Sequence, residues 1–368
     1  MADVAALAGV STSTVSHVLN ETRTVEPATR AKVERAIRAT GYRPNHVARS
    51  LATASTRTVG LAMSMLGRDT YFARFAHAIE RRAREAGYSL IYADTHDDPE
   101  TEQLILAQFL SQQVDGMIWA PTGSPAARVD SSIPTVLVDR LRDEPCDQIT
   151  PENVESAAQL TRHLAEHGHT RVALLAGLEG LSTTDERLRG YRQAVMEQNL
   201  DPDPALVIPG RSQSEPARLA IHRLFAGADP PTALVSGNNL MTLGVLRGMR
   251  ELGLTAPHDL ALVCFDDFEW ADLVSPGPTA MRQRLDRMGE RSFELLLARI
   301  KDPHQPYVLE RIPPVFMVRE SCGCEPTGLP GSHRIPLGSA RVARTGGTAR
   351  SRTATSAPEL SSARAESR

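Results

Sequence analysis

The most restrictive feature of the sequence is its N-terminal segment, residues 3–20, which reads DVAALAGVSTSTVSHVLN. Apolar residues with the i, i+3, i+4 spacing of one helix face occur on each side of Gly9: Val4, Leu7 and Ala8, then Val15, Val18 and Leu19. Gly9 suits a left-handed turn because it lacks a Cβ, small Ala5 lets two helices approach closely, and Ser11 is a good N-cap. The pattern therefore predicts a helix-turn-helix, whose second helix enters the major groove of DNA.

The second predicted helix carries small or hydrogen-bonding side chains on its outer face, which suit contacts with base edges. The candidate DNA-binding residues of this helix and its cap are Ser11, Thr12, Ser13, Thr14, Ser16, His17 and Asn20. A third helix is predicted to begin at Pro27 and to end before Gly41. Its face toward the first two helices consists of Val33, Ala36 and Ile37. Spacing alone leaves an ordinary helical hairpin as the alternative.

From Thr58 onward, predicted strands alternate with predicted helices, a pattern typical of parallel α/β sheets with helical crossovers. The pattern predicts a first lobe from strands 59–63, 90–93, 116–120 and 135–138, with helices 72–87 and 99–113. It predicts a second lobe from strands 172–176, 206–208, 233–235 and 260–265, with helices 185–198, 215–225 and 240–252. A helix at 287–300 and a strand at 314–318 follow, and periodicity does not show which sheet they join.

Polar side chains recur where several of these strands end. They are Asp94, Asp139, Asn238 with Asn239, and Asp266 with Asp267. Ligands of open parallel sheets bind beyond the carboxyl ends of the strands, and carboxylates and amides there suit a hydroxyl-rich ligand such as a sugar. One such aspartate alone is more often a helix cap or a turn residue. The repetition at four strand ends favours a ligand cleft.

Six segments of the chain occur in an order that is specific to one family: DVAALAGVSTSTVSHVLN at 3–20, GYRPNHVARSLAT at 41–53, LSTTDERLRGY at 181–191, GNNLMTLGVLRGMRELG at 237–253, FDD at 265–267 and VRESCG at 318–323. They resemble the lactose-repressor (LacI/GalR-type) family of bacterial transcriptional regulators, and the resemblance covers about residues 2–323. It implies an α/β fold class with an N-terminal helix-turn-helix DNA-binding headpiece. The rest would form a two-lobed, periplasmic-binding-protein-like core of parallel sheets. In this core the late helix and strand would return to complete the first lobe and a crossover.

The resemblance also implies a hinge helix at residues 46–53 that orders only on operator DNA. At about eight residues such a helix is too short to be stable alone. Asn45, Ala48 and Leu51 occupy its DNA-contacting places, and Leu51 would wedge between base steps of the minor groove. Packing of Leu51 in a linker is the alternative. His17 stands where the family usually has Arg, so an operator sequence cannot be copied from relatives.

The resemblance further implies an effector site in the cleft between the lobes. Its residues are Tyr71, Phe72, Asp139, Thr183, Arg187, Asn238 and Asp266. Core packing is the alternative role for the two aromatic residues, and a salt bridge between the lobes is the alternative for Arg187. Asp69-Thr70 replaces a common Asn-Pro, and Asn239 replaces a common Asp. The sugar that close relatives prefer is therefore not expected to carry over.

These patterns divide the chain into residues 1–44 (helix-turn-helix), 45–56 (hinge helix and linker), 57–325 (two-lobed effector-binding and dimerisation domain) and 326–368 (a disordered basic tail). Residues 1–56 carry a net charge of +3, residues 57–325 one of −11 and residues 326–368 one of +5. A basic head on an acidic body keeps phosphate attraction local, as a DNA-binding module requires. The tail is rich in Gly, Ser, Thr, Ala, Pro and Arg without apolar periodicity, and it contains no heptads for a coiled coil.

Composition excludes several other classes of protein. No apolar run reaches the roughly 18 residues of a membrane span, and the N-terminus lacks the pattern of a secretory signal, so a cytoplasmic location is expected. The four cysteines are scattered, which fits a reducing compartment. Cys322 and Cys324 form a lone pair without a second pair of ligands, so plain thiols are expected rather than a metal site. His163, His167 and His169 are expected to cap carbonyl groups near a helix end.

The sequence thus predicts a ligand-responsive transcriptional regulator that acts as a homodimer on pseudo-palindromic operator DNA, with no cofactor. It is expected to repress carbohydrate-utilisation genes, with a sugar or sugar derivative as its effector. A solute-binding protein with a similar body is one alternative, and the DNA-reading head argues against it. An enzyme is the other, but the sequence shows no nucleophile elbow, no phosphate-binding glycine loop and no metal-spaced His/Cys cluster.

Overall fold

The computed structural model describes residues 1–20, 23–42, 55–64 and 70–325. The predicted hinge residues Asn45, Ala48 and Leu51 lie outside this part of the chain, and so does the predicted tail, residues 326–368.

The head consists of three helices, α1 (Ala2–Ala8), α2 (Thr12–Asn20) and α3 (Pro27–Thr40). Gly9 ends α1 with a left-handed φ of 67°, and Gly41 ends α3 with φ 61°, as the sequence predicted. The small core between the helices contains Val4, Ala5, Val15, Val18, Val33 and Ala36. The apolar spacing and the two glycines therefore produce the predicted helix-turn-helix and its supporting third helix.

One core prediction in the head is wrong, because Leu7 is 59% exposed. Ala5, which is 5% exposed, lies beside Val4 in the interface instead. The buried arc of this short helix is centred between Val4, Ala5 and Ala8, and Leu7 lies on the adjoining side of the helix. Leu7 therefore belongs to the surface of the head, next to Lys32 and Arg35 of α3.

The first lobe contains β1 (Thr58–Met63), α4 (Thr70–Glu85), β2 (Ser89–Asp94), α5 (Pro99–Ser111), β3 (Gly116–Trp119), β4 (Thr135–Val138) and β5 (Asp147–Pro151). The chain then enters the second lobe with α6 (Val154–Glu166), β6 (Val172–Ala176), α7 (Ser182–Glu197), β7 (Val207–Pro209), α8 (Ser214–Phe225), β8 (Ala233–Ser236), α9 (Asn239–Leu252), β9 (Ala261–Phe265) and β10 (Thr279–Arg282). It ends with α10 (Leu285–Lys301), β11 (Leu309–Ile312) and β12 (Val315–Met317).

Each lobe is built on a sheet that has six strands within the described residues. The strand order is β11-β5-β4-β3-β1-β2 in the first sheet and β12-β10-β9-β8-β6-β7 in the second. Every strand pairing is parallel except that of β12 with β10. Helices cover the sheets, so the central strands are buried apolar runs, as parallel sheets require.

The chain crosses between the lobes three times, after β5, after β10 and after β11. The predicted return of the late helix is confirmed, since α10 packs in the core of the first lobe against α4. Gly289 of α10 permits this close packing, because a Cβ there would lie 2.7 Å from the carbonyl oxygen of Phe75. The late strand does not join the first lobe as expected, because β12 pairs with β10 as the antiparallel edge of the second sheet.

The sequence analysis missed β5, β10 and β11, and it gave no bounds for the helix α6, whose end it placed near His163 and His167. β5, β10 and β11 are short and mix polar with apolar residues, as in TAMR and LERI, so they lack a continuous apolar run. Between residues 1 and 325, the described helices include none that is long and apolar enough to cross a membrane.

Candidate effector cleft and DNA-reading surface

The first turn of α2 forms the predicted DNA-reading surface. Ser11 caps the helix, because its hydroxyl accepts a hydrogen bond from the backbone N–H of Thr14 at 3.1 Å. The same oxygen lies 2.7 Å from the Ser13 hydroxyl and 2.9 Å from that of Thr14. Ser11, Thr12 and Ser13 are exposed. These hydroxyls are therefore accessible at the end of the helix that is predicted to enter the groove.

The remaining candidates on α2 are less open to solvent. Thr14, Ser16 and His17 are half-buried, and Asn20 lies in the last turn of the helix with its side chain outside the described part. Lys32, Arg35 and Arg38 of α3 are exposed. Such cations suit contacts with phosphates, which position a protein on DNA without reading its sequence.

The predicted effector residues meet in one cleft between the two lobes. Six of the seven line it: Phe72, Asp139, Thr183, Arg187, Asn238 and Asp266. The seventh, Tyr71, lies in α4, and its side chain is outside the described part. The cleft also contains residues that sequence reasoning did not single out, namely Asp97, Arg140, Ser212 and Gln283.

Asp139 and Asp266 each follow a strand, one in each lobe, and both adopt left-handed backbone conformations. Their φ angles are 64° and 66°. The backbone N–H of Asp139 donates to the carbonyl of Ile149 at 2.9 Å, and that of Asp266 donates to the carbonyl of Met281 at 3.1 Å. This conformation, which Asp and Asn tolerate better than other L-residues, turns the chain at the edge of the cleft.

Asp266 has an ordered partner in the cleft. One of its carboxylate oxygens accepts a hydrogen bond from Nε2 of Gln283 at 2.7 Å. Gln283 is buried, and its Oε1 is without a hydrogen-bond partner among the described residues. A buried polar atom of this kind is costly unless a ligand or water satisfies it. The Asp266–Gln283 pair therefore offers an acceptor to a ligand in the cleft.

Asp139 lies beside two arginines, Arg140 and Arg187. Burial raises the pKa of the Asp139 carboxyl from its ordinary value, while the charges of Arg140 and Arg187 act in the opposite direction. The guanidinium of Arg140 pairs with Asp97 and donates to the carbonyl of Pro121 at 3.0 Å. Arg140 is thus occupied by Asp97, and its Nε lies 3.7 Å from the Asp139 carboxylate.

Arg187 is held in place by neutral groups. Its Nε donates to Oδ1 of Asn153 at 2.9 Å, its Nη1 donates to the carbonyl of Gly237, and its guanidinium lies 4.1 Å from the ring centre of Phe265. The salt bridge between the lobes that the sequence offered as its alternative role is made by the preceding residue, Glu186. Glu186 receives both Nη atoms of Arg311 from β11, at 2.6 and 3.2 Å.

We refer to Glu186, Arg311, Asn153 and Arg187 as the joint, because these residues link the lobes beside the crossovers. The Glu186 side chain is 4% exposed, and Nδ2 of Asn153 donates to it at 2.9 Å. Asn153 thereby connects Glu186 to Arg187. A bidentate pair of this kind is the strong form of a charge-assisted hydrogen bond.

The lobes also touch along a second set of residues, Gly123, Leu141, Gly180 and Ser182, which we refer to as the rim. The backbone N–H of Leu141 in the first lobe donates to the Ser182 hydroxyl in the second at 2.7 Å. Gly123 and Gly180 come so close that a Cβ on Gly123 would lie 3.3 Å from the Gly180 carbonyl group. All four residues line a second, shallower depression.

The strand-end residues do not all belong to the cleft. Asp94 accepts a hydrogen bond from the backbone N–H of His96 at 2.8 Å, so it is a turn residue. Asp267 pairs with Arg319 at 2.8 Å. Asn238 lines the cleft, yet its Oδ1 caps α9 by accepting from the N–H of Met241 at 2.8 Å. The cap or turn alternative therefore applies to part of this set.

Comparison with known proteins agrees with this architecture. The model of the bacterial regulatory proteins of the lacI family matches residues 1–45, and that of the periplasmic binding protein-like domain matches residues 161–322. A relative from Aliivibrio salmonicida, described as the HTH-type transcriptional repressor PurR, is 32% identical over 325 residues, which are 87% of this chain and 97% of the relative. The chain belongs to the lacI family of bacterial transcriptional repressors.

Solved structures of family members have the same fold as this repressor. The lac repressor dimer bound to operator and the anti-inducer ONPF is 26% identical, with a TM-score of 0.77 over 87% of this chain and 98% of that one. A complex of the transcriptional regulator CelR with cellobiose is 29% identical, with a TM-score of 0.65 over the same shares of the two chains. The predicted fold class and the prediction that the chain is not an enzyme are confirmed.

The cleft residues of this repressor that sequence reasoning missed share one property. Each lies within three residues of a strand end: Asp97 after β2, Arg140 after β4, Ser212 after β7 and Gln283 after β10, which escaped prediction. The rule that ligands bind beyond strand ends would have found Gln283 had β10 been recognised. Ser212 follows β7 and lies in a loop, where its backbone conformation is left-handed, and no sequence signal marks it.

Proposed function

We propose that this repressor binds pseudo-palindromic operator DNA as a homodimer and that a neutral, polyhydroxylated effector, a sugar or sugar derivative, controls it from the cleft. The observation that carries the proposal is the meeting of Asp139, Arg187 and Asp266 in one cleft that also holds the unpartnered Oε1 of buried Gln283. The effector would bind one lobe arrangement better than another and thereby change operator affinity.

The polar groups of the cleft favour hydroxyl groups over a strongly charged ligand. Carboxylates from both lobes can accept from hydroxyls, while Arg187 and the amide groups donate to hydroxyl oxygens. The cations near the cleft already have partners, since Arg140 pairs with Asp97, and Arg187 has Asn153 and the Gly237 carbonyl. An anionic ligand would therefore compete with existing contacts, whereas an alcohol adds to them.

Relatives support the same effector class without deciding it. The CelR structure is a complex with cellobiose, and another similar structure is described as a ribose operon repressor from Burkholderia thailandensis. That relative is 29% identical, with a TM-score of 0.64 over 71% of this chain. Other relatives are described as the HTH-type transcriptional repressor PurR and not as regulators of sugar genes. Nucleobases and nucleosides therefore belong in the same screen.

The homodimer is supported by the lac repressor dimer and by apolar surface on the body. Leu104 of α5 is 72% exposed, Leu219 of α8 is 45% exposed and Leu252 of α9 is 39% exposed. α8 and α9 pack against each other, so the last two leucines belong to neighbouring helices. Two-fold pairing would place two copies of α2 on the half-sites of a palindrome.

The test begins with genomic fragments that the full-length chain retains. Their affinity is measured by fluorescence anisotropy with and without members of a panel of mono- and disaccharides, nucleobases and nucleosides. We expect at least one carbohydrate to bind by calorimetry and to change operator affinity at least tenfold. A response confined to nucleobases or nucleosides would overturn the sugar assignment, and the absence of any preferred fragment would overturn operator binding.

Asp266→Asn tests the site itself. Loss of a charge-assisted hydrogen bond costs about 1.5–3 kcal/mol, so we expect effector affinity to fall roughly ten- to a hundredfold. Operator affinity without effector should be unchanged. Asp94→Asn is the matched control, because Asp94 also follows a strand but lies in a turn outside the cleft. Equal effector responses in Asp266→Asn and the unmodified chain would contradict the assignment.

A further inference from the structure

Two histidines and two cysteines from distant parts of the chain converge at the end of α6. His163 lies in the last turn of α6, and His167 follows as its C-cap. Cys322 and Cys324 come from the segment after β12. One donor atom from each of the four residues lies within 4.8 Å of the others. The histidine pair supplies the second pair of potential ligands, which the sequence analysis did not recognise beside the two cysteines.

The distances between these donors suit tetrahedral coordination. His163 Nε2 lies 3.2 Å from Cys322 Sγ and 3.5 Å from Cys324 Sγ, and His167 Nε2 lies 3.1 Å from Cys324 Sγ. With Zn–S near 2.3 Å and Zn–N near 2.0 Å, tetrahedral geometry separates sulfur and nitrogen ligands by about 3.5 Å. The four side chains thus already stand close to the edges of such a tetrahedron.

The backbone explains how such short spacings reach one point. His163 and His167 are four residues apart, so they lie on one side of the helix end. Cys322 and Cys324 are separated only by Gly323, whose φ of 98° is a conformation that favours glycine. That turn directs both sulfur atoms toward the histidines. The positions of the histidines at the C-terminal end of a helix also favour a nearby cation.

Further groups surround the four side chains. The hydroxyl of Thr279 lies 3.1 Å from Cys322 Sγ, and the ring of Phe316 contacts the His163 ring edge-to-face at 5.0 Å. The carboxylate of Glu166 lies 4.0 Å from Nδ1 of His163, the ring nitrogen that does not face the sulfurs. Ligating histidines commonly direct the other nitrogen toward such an acceptor. Cys322 is buried, and His163 has only 12% of its side chain exposed.

The geometry points to a Cys₂His₂ site for Zn²⁺ formed by His163, His167, Cys322 and Cys324 in the second lobe. Thiolate and imidazole ligands in a tetrahedral set select zinc, and four protein ligands leave no open position for a substrate. The ion is therefore structural. It joins the segment that follows β12 to the end of α6 and closes the edge of the second sheet.

The test uses the full-length chain expressed in zinc-supplemented medium and purified without chelator. We expect close to one zinc per chain by inductively coupled plasma mass spectrometry. Cys324→Ser and His167→Asn replace the half-buried and exposed ligands with side chains of similar size, so the fold should survive. Each should lower the zinc content at least tenfold. Circular dichroism of both variants verifies folding.

Cys146→Ser and His258→Ala are the matched controls, since they remove a cysteine and a histidine outside the cluster, and both should retain zinc. Replacing zinc with Co²⁺ should give the visible absorption of tetrahedral thiolate coordination in the unmodified chain and in neither cluster variant. Zinc should raise the melting temperature of the unmodified chain after chelation, and Cys324→Ser should not respond.

Three results would overturn the site. One is a zinc content in the unmodified chain that does not exceed that of Cys324→Ser. Another is equal loss of zinc in the Cys146→Ser and His258→Ala controls. The third is a Cys322–Cys324 disulfide, seen as a mass two hydrogens lower in protein that was purified under reducing buffer and contains no zinc.

Discussion

The two places where the lobes meet differ in chemistry. The joint contains a bidentate ion pair between buried Glu186 and Arg311, extended through Asn153 to Arg187. The rim contains one neutral hydrogen bond, from Leu141 to Ser182, and a van der Waals approach of two glycines. The joint and the rim both connect the two lobes, but only the joint lies beside the crossovers.

The difference in chemistry between the joint and the rim indicates which of these contacts can open. A charge left behind by an opened ion pair is costly when it is buried, whereas a hydroxyl and two glycines are hydrated at little cost. The joint is thus suited to stay closed while the rim opens. The cleft lies between the two, so opening at the rim would give the proposed effector access to Asp139 and Asp266. Three changes at or between these contacts test the comparison.

The largest effect is expected at the joint, from Arg311→Met. The change leaves the Glu186 carboxylate buried without its cation. We expect the free energy of unfolding to fall by about 2–3 kcal/mol, less than for a fully buried pair because the Arg311 side chain is 34% exposed. Urea denaturation measures it. Arg74→Met is the control, since the side chains of Arg74 and its partner Asp286 are 50% and 57% exposed. This change should lower the free energy of unfolding by less than about 1 kcal/mol. Similar losses of stability in Arg311→Met and Arg74→Met would show that the ion pair of the joint is no stronger than an exposed one.

A smaller effect is expected at the rim, from Gly123→Val. Its methyl groups would occupy space that the Gly180 carbonyl group fills, and overpacking of this kind costs about 1–3 kcal/mol. We expect the rim to open, which should increase the radius of gyration in small-angle scattering and weaken effector binding about tenfold. Gly227→Val, in the turn after α8, serves as the control. Unchanged scattering and affinity in Gly123→Val would show that the rim does not contribute to closure.

The smallest effect is expected between the two contacts, from Asp139→Asn. Burial raises the pKa of the Asp139 carboxyl in the folded chain, so folding favours the protonated form. The unmodified chain therefore loses stability as pH rises from about 4, the ordinary aspartate value, through the raised value. Asp139→Asn should not lose this stability. Urea denaturation should therefore show the variant becoming more stable relative to the unmodified chain as pH rises over this range.

Asp98→Asn should show the opposite dependence of stability on pH. A hydrogen bond from Thr101 lowers the pKa of Asp98, which caps α5, so its stabilisation is present above the ordinary value and disappears as pH falls through the lowered one. This variant should lose stability relative to the unmodified chain as pH rises. The same pH trend in Asp139→Asn and Asp98→Asn would contradict the assigned direction for Asp139.

The fold could be predicted wherever local pattern and tertiary role coincide. Phe75, Ile79 and Ala83 have the spacing of one face in the predicted helix 72–87, and all three are buried in the core of the first lobe. Leu7 shows the limit, since a seven-residue helix can bury only a narrow arc and its neighbours decide which one. β10 and β11 escaped because strands of four residues at sheet edges or crossovers need no continuous apolar run.

The sequence predicted that polar strand-end residues line a cleft, but it did not show which of them do so. Asp139 and Asp94 both follow strands of the first sheet, yet only the first lines the cleft, because the loop after Asp94 turns back onto its carboxylate. The contact of His163 with Cys322 joins residues 159 positions apart. No local pattern connects them, so four dispersed residues could not be recognised as one cluster before the sheets were assembled.

The left-handed backbone of Asp139 and Asp266 has a consequence for how regulators of this kind diversify. Their φ angles of 64° and 66° admit aspartate, asparagine or glycine with ease and exclude bulky or β-branched side chains. Selection for a new effector, in nature or in a laboratory library, therefore has few alternatives at these two places. Changes in specificity must instead accumulate at Gln283, Ser212 and Phe72, and mutational libraries should be concentrated there.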